Sequence, residues 1–145
     1  MQAPAPPAAE FVYEAIVEIA AREPLGRSPL GERFIVPILG GSFEGPGVRG
    51  TILAGGADRQ LLRSDGVRRL DAFYEMRTED GAVLTVRNRV LIDDPPGGTR
   101  YAFSHVEITA PEGRYDWLNR RVLVGTLRNL QPQRPAVCVR VYQLV

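Results

Sequence analysis

The feature that most restricts how this chain can fold is a period of two. In "FVYEAIVEI" (11–19), Phe11, Tyr13, Ala15, Val17 and Ile19 fall on one face while Glu14 and Glu18 fall on the other. Only an extended strand separates side chains this way, because a helix returns to the same face every 3.6 residues. The signal recurs in "ERFIVPIL" (32–39), "VRGTILA" (48–54), "RRLDAFYEMR" (68–77), "AVLTVRNRVLI" (82–92), "RYAFSHVEI" (100–108), "RVLVGTL" (121–127) and "AVCVRVYQL" (136–144). Glycine- and proline-rich breaks lie between these runs. "GGSFEGPG" reads as a turn, Asp80-Gly81 as a hairpin, and "DDPPGG" (93–98) as a connection. One turn near "RYDWLNR" (114–120) is the single helical candidate.

Such a pattern predicts an all-β protein: one small antiparallel β-barrel, closed or nearly closed, of about eight to ten strands. Closure removes the unpaired edges that invite aggregation. A chain of 145 residues suits a single domain. The Pro/Ala-rich opening "MQAPAPPAAE" (1–10) reads as a flexible tail, and residues 11–145 as the barrel. The tail lacks the basic and apolar segments of a secretory signal, and no apolar run is long enough for a spanning helix. The expected location is therefore the cytoplasm, without a membrane partner.

Charge and residue inventory narrow the chemistry. With 18 basic and 17 acidic residues the net charge is +1, so no long-range field favours nucleic acid. All 18 basic residues are arginine. Without lysine there is no Schiff-base aldolase mechanism, no covalent pyridoxal phosphate anchor and no Walker-type phosphate loop. One histidine (His105) and one cysteine (Cys138) cannot assemble a His/Cys zinc site, and Asp93-Asp94 lacks the ligand spacing of a calcium loop. Neither a metal nor a cofactor is expected. Ser104 and His105 are neighbours on a strand and point to opposite faces, so they cannot act as a nucleophile–base pair. His105 reads as a hydrogen-bonded structural histidine, and Cys138, in an apolar strand, as a packed and inert thiol.

What remains is a set of carboxylates, arginines and tyrosines on strands. If the Asp80-Gly81 turn holds two or four residues, Ala72, Tyr74 and Met76 share a face with Thr85, Arg87 and Arg89. Asp71, Phe73 and Glu75 then share the other with Leu84, Val86 and Asn88. Inside a small barrel, mixed faces make either a buried ion-pair network or the lining of a ligand cavity. The first would pair Asp58, Asp71 or Glu107 with Arg87 or Arg89. "LAGGADRQ" (53–60) raises the same alternative: Gly55 and Gly56 permit a bend or a close backbone approach, delivering Asp58 to the barrel mouth or lumen.

Several segments together resemble a largely bacterial family of small proteins, domain of unknown function 3237. They are Gly40-Gly41, Gly45-Pro46, Gly50, Gly55-Gly56-Ala57-Asp58, Asp65-Gly66, Leu70-Asp71-Ala72, Asp80-Gly81-Ala82 and Trp117-Leu118-Asn119, in this order. The resemblance runs from about Gly31 to the C-terminal "VYQLV". It implies a compact barrel, often a homodimer, and no single reaction. Family members usually carry tryptophan after the Gly-Ala-Asp triplet, where this chain has Arg59. That exchange would alter the shape and charge of whatever Asp58 faces.

The functional expectation is a small-molecule-binding barrel, working as a cofactor-independent isomerase, lyase or cyclase on a small organic acid, aromatic or polyketide-like metabolite. Asp58 and Glu107 are the candidate acid/base groups, and Tyr74 the donor to a developing enolate or phenolate. Arg59, Arg87, Trp117 and Asn119 are the candidate binding residues, with Arg87 suited to a bidentate carboxylate. The alternatives are a non-catalytic carrier and an assembly subunit whose barrel is filled.

Overall fold

A computed structural model describes residues 1–145. It contains β1 (Ala9–Ile19), β2 (Glu23–Ser28), β3 (Gly31–Glu44), β4 (Arg49–Ile52), β5 (Ala57–Leu62), β6 (Arg68–Thr78), β7 (Val83–Asp93), β8 (Tyr101–Thr109), a 3₁₀ turn (Asp116–Arg120), β9 (Leu123–Asn129) and β10 (Ala136–Leu144). No helix is long and apolar enough to cross a membrane. All pairings are antiparallel. β1 pairs with β10 on one side and β3 on the other, which closes the barrel. From β10 the order runs through β9, β8 and β7 to β6. β4 and β5 bridge β6 back to β3, lying end to end: β4 pairs with Gly41–Glu44 and β5 with Glu32–Pro37. The result is a closed eight-position barrel built from ten strands.

Two of these strands carry weak local signals. β5, "ADRQLL", mixes charge with an apolar end, and β2, "EPLGRS", contains Pro24 and a register shift between Pro24 and Gly26. Both form because β3, at 14 residues, is longer than its apolar run and templates a partner on each side. Gly40 to Glu44 belong to β3 and not to a turn; the turn is confined to Gly45–Val48, where Gly45 N–H donates to Val48 O at 2.8 Å. At the β3 bend, Gly41 is obligatory, since a Cβ there would sit 2.0 Å from the Ile16 carbonyl oxygen. β1 begins at Ala9, inside the stretch 1–10 read as a tail. Ala8 and Val145 exchange backbone hydrogen bonds of 2.8 and 2.9 Å that start the strand.

The β6–β7 hairpin corrects the facing assumed from a two- or four-residue turn. Thr78 N–H donates to Ala82 O at 2.8 Å, leaving a three-residue loop, Glu79–Gly81, with Gly81 at φ +93°. An odd loop pairs even residues with even: Ala72 with Asn88, Tyr74 with Val86, Met76 with Leu84. Tyr74, Met76, Leu84 and Val86 therefore all point inward and are fully buried. Arg87 and Arg89 go outside with Asp71 and Phe73.

The interior is filled at only one end. Tyr13, Met76, Leu84, Val86 and Val141 pack there, and Leu118 of the 3₁₀ turn plugs the opening beyond β8. Asn119 fastens that plug: its Oδ1 accepts from Ala110 N–H at 2.8 Å and its Nδ2 donates to Ala110 O at 3.0 Å. At the other end the inward side chains stop short of meeting.

Candidate functional site

The unfilled end is a cavity of about 300 Å³ opening to solvent, at the lower end of ligand-site volumes. Its walls are mostly aliphatic, from Val36 and Ile38 of β3, Leu70 of β6, Val90 and Ile92 of β7, and Val137 and Val139 of β10. Its polar groups are few. Asp58, Gln60 and Asn88 lie within, Arg22, Arg68 and Arg100 come from the strand ends that form the rim, and Asn129 and Gln131, at the end of β9 and just after it, also line it.

Asp58 reaches the cavity because the strand position shared by β4 and β5 is broken. Between Ile52 and Ala57 the chain advances five residues while β6 advances three, from Met76 to Phe73. The surplus bulges out at "LAGG", with Gly55 at φ +108°. β5 resumes with Asp58 opposite Val36 and Ala72, and the carboxyl turns inward. Asp58, Ala72 and Asn88 form one row across β5, β6 and β7. Alanine in the middle leaves open space between the two polar side chains, whose backbones stand about 10 Å apart at two strand spacings.

Gln60 Nε2 donates to Asp58 Oδ2 at 3.0 Å. Asp58 Oδ1 and Asn88 Oδ1 are buried and have no hydrogen-bond partner in the protein. Burial pushes the Asp58 carboxyl from its ordinary 3.8 up to about 6; the Gln60 hydrogen bond opposes this, while the Asp71 carboxylate adds to it. Asp58 is thus poised to hold or release a proton near neutrality. Tyr74 lies below it on β6. Burial, with the Asp58 charge adding to it, raises the Tyr74 phenol well above its usual value. Tyr13 is raised likewise by burial and then by Tyr74. Both hydroxyls stay protonated, so Tyr74 can donate but not act as a base.

The other candidates lie elsewhere. Arg59 is exposed on the outside of β5, so its exchange for tryptophan does not reshape the space around Asp58. Arg87 is also outside, clamped to Asp71 through two bonds, Nε–Oδ1 at 3.1 Å and Nη2–Oδ2 at 2.9 Å. Glu107 is exposed on β8, 3.7 Å from Arg89. Trp117 and Asn119 belong to the plug at the closed end, Trp117 packed against the core. Of the seven candidates only Asp58 lines the cavity; Tyr74 is packed in the core close enough for its phenol to feel the Asp58 charge. His105 is exposed on β8 and not a buried structural residue, while Cys138 is partly buried with its thiol pushed up by burial.

Gln60, Asn88 and the three rim arginines were missed from the sequence. Correct parity across the β6–β7 hairpin would have found Asn88, because it shares a face with Tyr74. Arg68 follows from the same face of β6, four residues before Ala72. Nothing local marks Arg22 or Arg100.

Comparison with known proteins agrees with this architecture. The chain is 38% identical over 79 residues to a UPF0311 protein of Rhodopseudomonas palustris strain TIE-1, covering 54% of this chain and 52% of that protein. It thus spans about half the length of that relative. The hydroalkoxylation enzyme phnH of Penicillium herquei is 28% identical over 127 residues, covering 88% of this chain and 78% of that one. Among solved structures, a β-barrel-like protein from Acinetobacter baumannii AYE superposes with a TM-score of 0.89 at 29% identity, covering both chains fully. An enzyme from Penicillium herquei superposes at 0.80 and 26% identity, covering 100% of this chain and 99% of that one. The model of the family described as protein of unknown function (DUF3237) matches residues 7–144, the whole barrel, and the chain belongs to that family.

Proposed function

We propose that the barrel is a cofactor-independent acid/base enzyme that adds a hydroxyl across a carbon–carbon double bond of a small molecule, or runs the reverse elimination. The observation that carries this reading is the Asp58 carboxyl: it lines an apolar cavity, titrates near neutrality, and keeps one oxygen unpartnered. The likeness to a hydroalkoxylation enzyme supports the reaction class. The chemistry needs only proton movement. Protonated Asp58 delivers a proton to one alkene carbon while the substrate oxygen bonds to the other. The proton lost from that oxygen then returns to the Asp58 carboxylate. The π bond and an O–H bond break, a C–O and a C–H bond form, and the enzyme is unchanged.

Each residue has a definable part. Asn88 Oδ1, unpartnered across the row, accepts from the substrate hydroxyl and holds it near Asp58. Gln60 fixes the carboxyl rotamer. The aliphatic walls exclude water that would compete as nucleophile, while Tyr74, buried in the core next to Asp58 and outside the cavity lining, does not touch the substrate. A carrier would need the cavity but not a buried carboxyl that costs stability, and a filled subunit would have no cavity.

The test is an assay in D₂O with 2-alkenylphenols and alkenols of one or two rings, followed by mass spectrometry. Cyclic ether carrying one non-exchangeable deuterium on carbon is the expected product. Ring closure without carbon deuteration, or at the rate of buffer alone, contradicts the reading.

A further inference from the structure

Three of the arginines have no structural task that accounts for their position. Arg22, Arg68 and Arg100 all line the cavity, coming from the β1–β2 connection, the start of β6 and the residue before β8. Arg68 makes none of the ion pairs in the molecule. Arg22 is unpaired as well and sits over the Phe34 ring, its Cζ 3.9 Å from the centroid. Arg100 has only a long contact to Asp94, Nε to Oδ2 at 3.9 Å. Some outer arginines are tightly held, as Arg87 is to Asp71 through both carboxylate oxygens, while the exposed Arg59, Arg69, Arg77 and Arg128 are also unpaired. What sets Arg22, Arg68 and Arg100 apart is that all three line the one cavity that holds Asp58.

Nor do the rim arginines neutralise Asp58. Burial, Gln60 and Asp71 set the state of that carboxyl, and no rim guanidinium contributes. The register explains the separation. Asp58 lies opposite Ala72, and Arg68 begins the same strand four residues earlier. At about 3.3 Å per residue that is roughly 13 Å along β6. The cavity therefore has an acid/base group on its floor, aliphatic walls, and a ring of unspent positive charge at its mouth. At about 30 Å³ per water it has room for about ten waters, the bulk of a molecule of one or two rings.

We infer that the ligand of this cavity carries a carboxylate at the end remote from its reacting centre, gripped at the rim by Arg68 with Arg22 and Arg100. The guanidinium fork matches a planar carboxylate in two parallel hydrogen bonds. Contact with the Phe34 ring pre-orients Arg22, so less conformational freedom is lost when the anion arrives. With its charge held at the mouth, the molecule extends down the aliphatic walls and presents its far end to Asp58 and Asn88. This inference rests on the cavity being the substrate site, and it adds the class of substrate: an amphipathic acid entering head-out.

The test is calorimetric binding of 2-naphthoate and of its neutral isostere 2-naphthamide at pH 7.5. Wild-type protein is compared with Arg68→Met, Arg22→Met, Asp58→Asn and, outside the cavity, Arg121→Met. Circular dichroism confirms that each variant is folded. The acid is expected to bind at least tenfold more tightly than the amide. Arg68→Met should shrink that preference to threefold or less, Arg22→Met should reduce it, and Arg121→Met should leave it alone. Asp58→Asn should retain or increase it, because a buried negative charge is removed. Equal binding of acid and amide, no binding of either, or a preference untouched by both rim variants overturns the inference. The acid/base reading fails separately: an intact preference for naphthoate with no carbon deuteration in the alkenylphenol assay removes the chemistry and leaves the anion grip standing.

Discussion

At pH 8 the Asp58→Asn protein is expected to melt about 5–10 °C above the wild type, and at pH 4 the two are expected to melt nearly together. The folded barrel holds the Asp58 proton more tightly than the unfolded chain does, with a value of about 6 against 3.8. A raised carboxyl value means that ionisation opposes folding. Below 3.8 both states are protonated and nothing is lost. The cost grows as the pH rises from 3.8 to about 6 and is complete above it. At 1.36 kcal/mol per unit it reaches about 3 kcal/mol, which at this chain length corresponds to the stated shift in Tm. Asparagine removes the charge while its carbonyl still accepts from Gln60. The same substitution should lower turnover by about 10²–10⁴-fold, the usual contribution of a positioned acid or base. A gain in stability joined to a loss of activity marks a residue kept for function. Paired melts at the two pH values, with a rate measurement at pH 7, check both halves.

Gly56→Ala should do the opposite and destabilise the fold by about 3 kcal/mol or more. A Cβ at Gly56 would meet the Tyr74 Cβ at 2.4 Å, the Phe73 carbonyl oxygen at 2.6 Å and the Tyr74 Cα at 2.9 Å. β5 cannot retreat, because the Gly56 carbonyl is held on its other side by Ile38 N–H at 2.9 Å. Gly55→Ala meets nothing within 4 Å and is opposed only by its φ of +108°, a strain of about 1–2 kcal/mol. Denaturant titrations of the two variants should therefore rank Gly56→Ala as clearly the worse. Equal losses would mean that backbone strain, and not the approach to Tyr74, explains this glycine pair.

That pair shows what was legible in the chain and what was not. The barrel could be read because alternation is local: each of the longer strands displays its own inward face. "GGAD" could be read as a bend that delivers an acid, because glycine's lack of a Cβ and the cost of an unpaired carboxylate are properties of those residues alone. Which way neighbouring strands face each other depends on one loop length. The three residues Glu79–Gly81, in place of two or four, moved Arg87 outside and Asn88 inside. β5 could not be recognised from "ADRQLL", since its partners β3 and β6 impose it. Glu107, Trp117 and Asn119 were plausible by residue type, but nothing in the chain before folding says which end of a barrel is plugged. The rim arginines meet only through closure, from segments 22, 68 and 100, so no spacing could announce them.

The claim on which the rest depends is that Asp58 is a desolvated carboxyl facing the cavity. Carbon-13 NMR of the aspartate side-chain carboxyls, followed from pH 3 to 8 and assigned by the signal missing from Asp58→Asn, tests it directly. A single Asp58 midpoint near 6, displaced when 2-naphthoate is added, is the expected result. A midpoint near 3.8 would show an ordinary solvated carboxylate and contradict the account.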